Sequence, residues 1–219
     1  MVLGASAWGL SEAATARQFH VAGIHVAGYS LVAPEEVLDR LPVTGANIFA
    51  LRARSLERAL HADPMIERAE VRTRLPNLVH VRIWERTPAA VWDTGGRQVI
   101  TDAEGLVVRE GLALPLPIIH APEGPAAEPG ERVDPAAVQM AQALGPRLDA
   151  LRLRDARLEY RPGGGMSIAA PGSPRVSLGF GQDLDAKLAA YLSIRAHLER
   201  TGERAELIDV RFLERPYYR

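Results

Sequence analysis

Apolar side chains recur along this chain with two different periods, and the places where the period changes lay out its elements. Ile24 and Val26 stand two apart and predict a short strand, closed by a turn at Gly28-Tyr29-Ser30. Pro34 suits a first helical position, Glu35 and Glu36 fall where the helix dipole favours carboxylates, and Val37, Leu38 and Leu41 share one face. A second helix is expected from Ser55 as N-cap, with Leu56, Ala59 and Leu60 inward and Asp63-Pro64 as its stop. The period then returns to two. Ala69, Val71 and Thr73 alternate with arginines and Glu70, and Val79, Val81 and Ile83 alternate with His80, Arg82 and Trp84 across Leu75-Pro76-Asn77. That is an antiparallel hairpin with one dry face. Strand, helix, helix, strand, strand predicts an α+β module with both helices on one side of a three-stranded sheet, its other face and an edge left open.

Beyond Thr87-Pro88 the pattern changes to brief strands at Ala90–Trp92, Gln98–Ile100 and Leu106–Val108, separated by Gly95-Gly96 and Glu104-Gly105 turns. The stretch from Ala121 to Arg132 is rich in Pro, Gly, Glu and Ala and reads as an exposed loop. Asp134-Pro135 then opens a helix that buries Val138, Ala141 and Leu144. Further antiparallel strands follow at Leu151–Leu153, Ala156–Tyr160, Met166–Ala169 and Val176–Leu178. A longer helix fits Asp183–Glu199, with Leu184, Leu188, Tyr191, Leu192 and Leu198 on one stripe and Gly202 after its end. The last strand is expected over Leu207–Leu213, with Ile208, Val210 and Phe212 on one face and Asp209 and Arg211 on the other. The second unit is therefore expected to be β-rich, of antiparallel strands with two helices.

Composition removes several classes of function. Of 219 residues, 47% are hydrophobic and 24% charged, so a folded core is within reach. The net charge of -1 supplies no general field for nucleic acid or an anionic surface, which would need a local patch. Cysteine is absent, excluding disulfides and thiolate chemistry. Lys187 is the only lysine among 26 basic residues.

The candidate chemistry is sparse. His20 and His25 are five apart and would face opposite sides of a continuous strand, and no His pair has the spacing of a helical metal site. Ser6 stands in no nucleophile elbow. Glu35-Glu36 and Asp102 with Glu104 have local explanations as helix-start charges and turn formers. Gly163-Gly164-Gly165 precedes a strand pattern instead of a helix and reads as a hairpin turn, not a phosphate cradle. No cofactor, metal or catalytic residue is expected.

The ordered set of motifs GIHVAG, PEEVLDRL, GANIFAL, DPMIERAEVRTRLPN, VHVRIWERTPAAVW and TDAEGLVV resembles the POTRA-containing region of the FtsQ/DivIB cell-division family. LPLPIIHAPEGP, RVSLG, the lone Lys187 in DLDAKL, and IDVRF extend the resemblance to about residue 213. It implies three segments: 1–18 as the remnant of a membrane anchor or a tail, 19–88 as a POTRA domain, and 89–219 as an FtsQ-type β domain. It further implies a non-catalytic scaffold at the division septum, single-pass in the cell membrane with its bulk outside the cytoplasm. Its partners would be FtsB/DivIC and FtsL homologues. Met1–Ser11 is apolar but shorter than the roughly 20 residues of a spanning helix.

The expected docking element is an open edge strand, whose unpaired amides and carbonyls a partner segment can complete. Leu207, Ile208, Asp209, Val210, Arg211, Phe212 and Leu213 are its residues, and by resemblance Arg211 and Phe212 match positions that engage the FtsB/DivIC partner. An alternative is a POTRA-containing outer-membrane assembly or secretion protein.

Overall fold

The computed structural model describes residues 16–111, 113–123, 127–153, 155–181 and 183–219. Residues 1–15, with Ser6 and most of the expected anchor remnant, lie outside them. Two units meet between Arg86 and Thr87.

In the first unit, β1 (Gly23–Ala27), α1 (Pro34–Asp39), α2 (Ala53–Leu60), β2 (Ile66–Arg74) and β3 (Leu78–Glu85) follow in the expected order. The sheet runs β1-β3-β2, with β1 parallel to β3 and β2 antiparallel to it. Val37, Leu41, Leu60, Met65, Val71, Val79, Val81 and Ile83 are buried as its core. Helix α2 starts two residues before the expected cap. Ser55 lies within the first turn, its amide bonded to the Arg52 carbonyl at 2.9 Å and its hydroxyl accepting from Arg58 at 3.3 Å. Gly28 has φ +86°, and a Cβ there would stand 2.2 Å from the Ile83 carbonyl oxygen, so the turn after β1 requires glycine. The amides of Ser30, Leu31 and Val32 then converge on the Glu85 carboxylate at 2.7–3.0 Å, tying that turn to the end of β3.

The second unit holds β4 (Ala90–Asp93), β5 (Gln98–Thr101), β6 (Val107–Glu110), β7 (Ile118–His120), α3 (Pro135–Leu144), β8 (Arg157–Arg161), β9 (Gly165–Ala169), β10 (Arg175–Gly179), α4 (Leu184–Thr201), β11 (Leu207–Asp209) and β12 (Tyr217–Tyr218). One nine-stranded sheet runs β12-β11-β10-β9-β8-β7-β4-β5-β6. Its ladders are not all antiparallel: β4 with β7, β7 with β8 and β10 with β11 run parallel. Helix α3 carries the chain from β7 to β8 and α4 from β10 to β11, and a helical crossover returns the next strand in the same direction. Alternation of apolar residues carries no strand direction, which is why the sequence reading missed this.

Register aligns Trp92, Ile119, Leu158, Ile168, Val176 and Ile208 as one buried row across the sheet, with Tyr218 packed at its end. Two sequence expectations fail here. Leu151 and Leu153 are buried from a non-strand segment, Leu151 in a turn, and Leu192 is 45% exposed on α4. Gly163-Gly164 forms the tight connection from β8 to β9, as expected. The lone lysine is buried. Lys187 Nζ donates to the carbonyls of Leu178 and Phe180, both at 2.8 Å, fastening α4 to the end of β10. Burial lowers its pKa from the ordinary lysine value, against the pull of Asp183.

Candidate partner-docking edge

The expected edge strand over Leu207–Leu213 is corrected by the structure. Only Leu207, Ile208 and Asp209 form β11, and they lie between β10 on one side and β12 on the other. Val210 continues the platform without being a strand, its amide bonded to the Ser177 carbonyl at 2.9 Å. After Val210 the chain leaves the sheet because the buried Asp209 carboxylate takes both the Arg211 amide, at 3.0 Å, and the Arg211 guanidinium, at 2.7–3.0 Å. The chain then reverses and returns as β12. Phe212 (69% exposed) and Leu213 (37%) sit on the outside of this reversal, with the Arg211 guanidinium 5.9 Å from the Phe212 ring.

The open edge is therefore β12. Leu207 and Arg219 exchange both main-chain bonds, at 3.1 and 3.0 Å, while Ile208 stands opposite Tyr218. In an antiparallel ladder such pairs alternate, so the Tyr218 N–H and C=O point away from β11, out of the sheet. The ring of Tyr218 holds the strand from behind: it packs on the core, and its hydroxyl donates to Glu203 at 2.8 Å. Tyr217, 47% exposed, lies beside the buried Asp209 on the opposite face. The far edge differs. There the segment around Glu131 covers β6, with Val107 N–H donating to the Glu131 carbonyl and Gly130 N–H to the Val107 carbonyl, both at 2.8 Å.

Sequence reasoning missed β12 because two residues cannot display a period. The available signal was an aromatic pair, Tyr217-Tyr218, behind a proline, which suits an edge strand.

Burial alone would raise the Asp209 pKa, but the Arg211 guanidinium and amide outweigh it and hold the carboxyl below the ordinary range. A depressed carboxylate pKa contributes stability that is full above the unfolded value of about 3.9 and is lost as pH falls through the folded value. Thermal unfolding between about pH 4 and 2 should therefore lose stability more steeply in the wild type than in Asp209→Asn. Parallel slopes for the two proteins would rule out this source of pH dependence.

Among the described residues no group of three or more His, Asp or Glu side chains could hold a metal ion. The buried polar side chains serve the fold. Asp102 accepts from the amides of Glu104 and Leu106 in a turn, and Asp63 caps Met65 and pairs with Arg40 at 2.8 Å. The main chain of His20 forms a β-bridge with that of Asn47, and the rings of His25 and His80 lie 5.5 Å apart. Among the described residues no helix is long and apolar enough to cross a membrane.

A helix-covered three-stranded unit ahead of a β-rich sheet with one open edge defines a modular protein of the POTRA-containing class. Residues 19–86 match the model of the FtsQ-type POTRA domain, and residues 90–211 that of the C-terminal domain of the cell division protein FtsQ/DivIB. The chain belongs to the FtsQ/DivIB cell-division family. It is 31% identical to Cell division protein FtsQ of Myxococcus fulvus over 212 residues, 92% of this chain and 73% of that one. Against its counterpart in Anaeromyxobacter sp. strain K it is 31% identical over 206 residues, 88% and 68% of the two chains. With that of Chloroflexus aggregans it shares 29% over 206 residues, 92% and 74%.

Proposed function

We propose that this protein is a non-catalytic divisome scaffold that recruits and links cell-division proteins at the septum. Its distal unit holds the FtsB/FtsL (DivIC/FtsL) pair by accepting an extended partner segment as a further strand. The chain is held at the cell membrane by an N-terminal anchor, with both units outside the cytoplasm, and the units at 19–88 and 89–219 act as the POTRA and β domains. One observation carries the docking reading: the outward main chain of Tyr218 on β12, reached through a chain reversal whose Phe212 and Leu213 are exposed. In this arrangement Leu207, Ile208, Asp209 and Val210 form the platform behind the edge, while Arg211, Phe212 and Leu213 line the approach to it. Main-chain bonds supply affinity and the flanking side chains supply selection.

The test is capture of the extracytoplasmic tail of the organism's FtsB homologue by the purified chain. Capture that disappears when the outward amide of residue 218 is removed supports the reading. Capture indifferent to that amide, or none by the wild type, overturns it.

A further inference from the structure

The first unit carries a surface that partner docking at β12 leaves unused. On the sheet face away from the helices, β2 presents Arg68, Glu70, Arg72 and Arg74, and β3 presents Trp84, Arg82, His80 and Leu78 directly opposite them. His25 of β1 adds to the same face beside His80. Glu70 is the one carboxylate among these ladder positions, and it is paired with Arg72. The indole of Trp84 is flanked by the guanidinium groups of Arg68, 4.7 Å from its ring centroid, and Arg82, at 5.3 Å. A chain of net charge -1 thus concentrates four arginines on one face of this sheet.

At one end of this face the turn of the β2–β3 hairpin exposes apolar surface. Leu75 is 61% exposed and Leu78 41%, and Arg74 lies between Arg72 and that tip. An apolar tip collared by arginines is what a protein needs to rest on a bilayer: leucines enter the interface while guanidinium groups stay at headgroup level. Register also fixes which end of the unit this is. Gly23, the first residue of β1, pairs with Leu78, and the Ala22 amide donates to the Asn77 carbonyl at 3.0 Å. The chain coming from the N-terminal side therefore enters the unit beside the hairpin tip.

We infer that the Leu75–Leu78 hairpin tip and the adjoining arginine face of the first unit dock on an anionic phospholipid surface. Charge complementarity selects an anionic partner, and the exposed leucine pair selects a bilayer over a soluble acidic peptide. The biological setting rests on the membrane anchoring proposed above, and the lipid contact itself does not.

The test is co-sedimentation of the full chain with vesicles of phosphatidylcholine alone or mixed with equal phosphatidylglycerol. Binding should require phosphatidylglycerol and weaken with salt. It should fall roughly fivefold for each arginine lost, or about a hundredfold for Arg72→Gln, Arg74→Gln and Arg82→Gln together. Leu75→Ser with Leu78→Ser should also release the chain. All these sites are exposed, so the variants should keep the wild-type unfolding temperature. As a second readout, lipids brominated near the headgroup should quench Trp84 fluorescence in a Trp8→Phe, Trp92→Phe background. Four results overturn the inference: no binding by the wild type, equal binding to neutral vesicles, binding unchanged in the variants, or equally tight binding of polyglutamate without lipid. Capture of the FtsB-type tail, measured on the same preparations, separates this from the docking reading. Vesicle binding can fail while capture survives, and the converse.

Discussion

Tyr218→Pro is expected to lower capture of the FtsB-type tail by at least about tenfold, with Tyr218→Ala retaining most of it. Both substitutions remove the ring from the core and the hydroxyl from Glu203, so they share their cost in stability. They differ in the main chain. Proline removes the one N–H that β12 turns outward and puts a ring in the path of an added strand, while alanine keeps that donor. A single net main-chain hydrogen bond contributes roughly 1 kcal/mol, or about a factor of five, and the steric block adds to it. Proline is compatible with an edge strand whose N–H faces solvent, and its restriction of the preceding residue to extended backbone suits Tyr217. Pull-down and titration on the three proteins decide the matter. Equal affinity for the proline and alanine variants would mean that the outward amide of residue 218 takes no part in docking.

Gly165→Ala should destabilise the second unit by about 3 kcal/mol or more, lowering its calorimetric transition by roughly 10 °C. Gly165 has φ +78°, and a Cβ there would lie 2.4 Å from the carbonyl carbon and 2.6 Å from the Cα of Gly179. Both neighbours are backbone, so the β9 and β10 main chains would have to part. The αL conformation alone costs a residue with a Cβ about 1 kcal/mol. Gly163→Ala provides the control, since Gly163 has φ +72° with open space around it, and it should cost only that smaller amount. The clash also reaches the docking edge, because the place of a Cβ on Gly179 is taken by Arg211, whose Cγ would be 3.1 Å away. Partner capture by Gly165→Ala should weaken along with stability. Equal transitions for the two alanine variants would show that the close approach of β9 to β10 is not required.

The parts of the fold legible in the sequence were those with a repeated period or a dedicated end signal. Arg68–Arg74 and Leu78–Glu85 alternate over enough residues to announce a hairpin, and Asp134-Pro135 marks the start of α3, where the Asp134 side chain does accept from the Ala136 amide. Strand direction was not legible, because alternation in Ile118–His120 is the same read either way. The limit of β11 was hidden for a different reason. Alternation continues through Phe212, while what ends the strand is the closing of Asp209 on Arg211, a contact two residues apart that no period reports. The ribbon expected to lie open, Leu207–Leu213, is thus an interior strand of three residues followed by a chain reversal. Phe212, expected on one face with Ile208 and Val210, is 69% exposed while those two are buried, and the edge strand is the Tyr217-Tyr218 pair that follows.

Amide hydrogen exchange at Tyr218, with and without the FtsB-type tail, bears most directly on docking at β12. The amides of Leu207 and Arg219 are already bonded within the chain and should change little on binding. Augmentation requires the Tyr218 amide, open in the free protein, to become strongly protected in the complex. A complex that forms while Tyr218 exchanges as fast as before, with protection gained elsewhere, would contradict it.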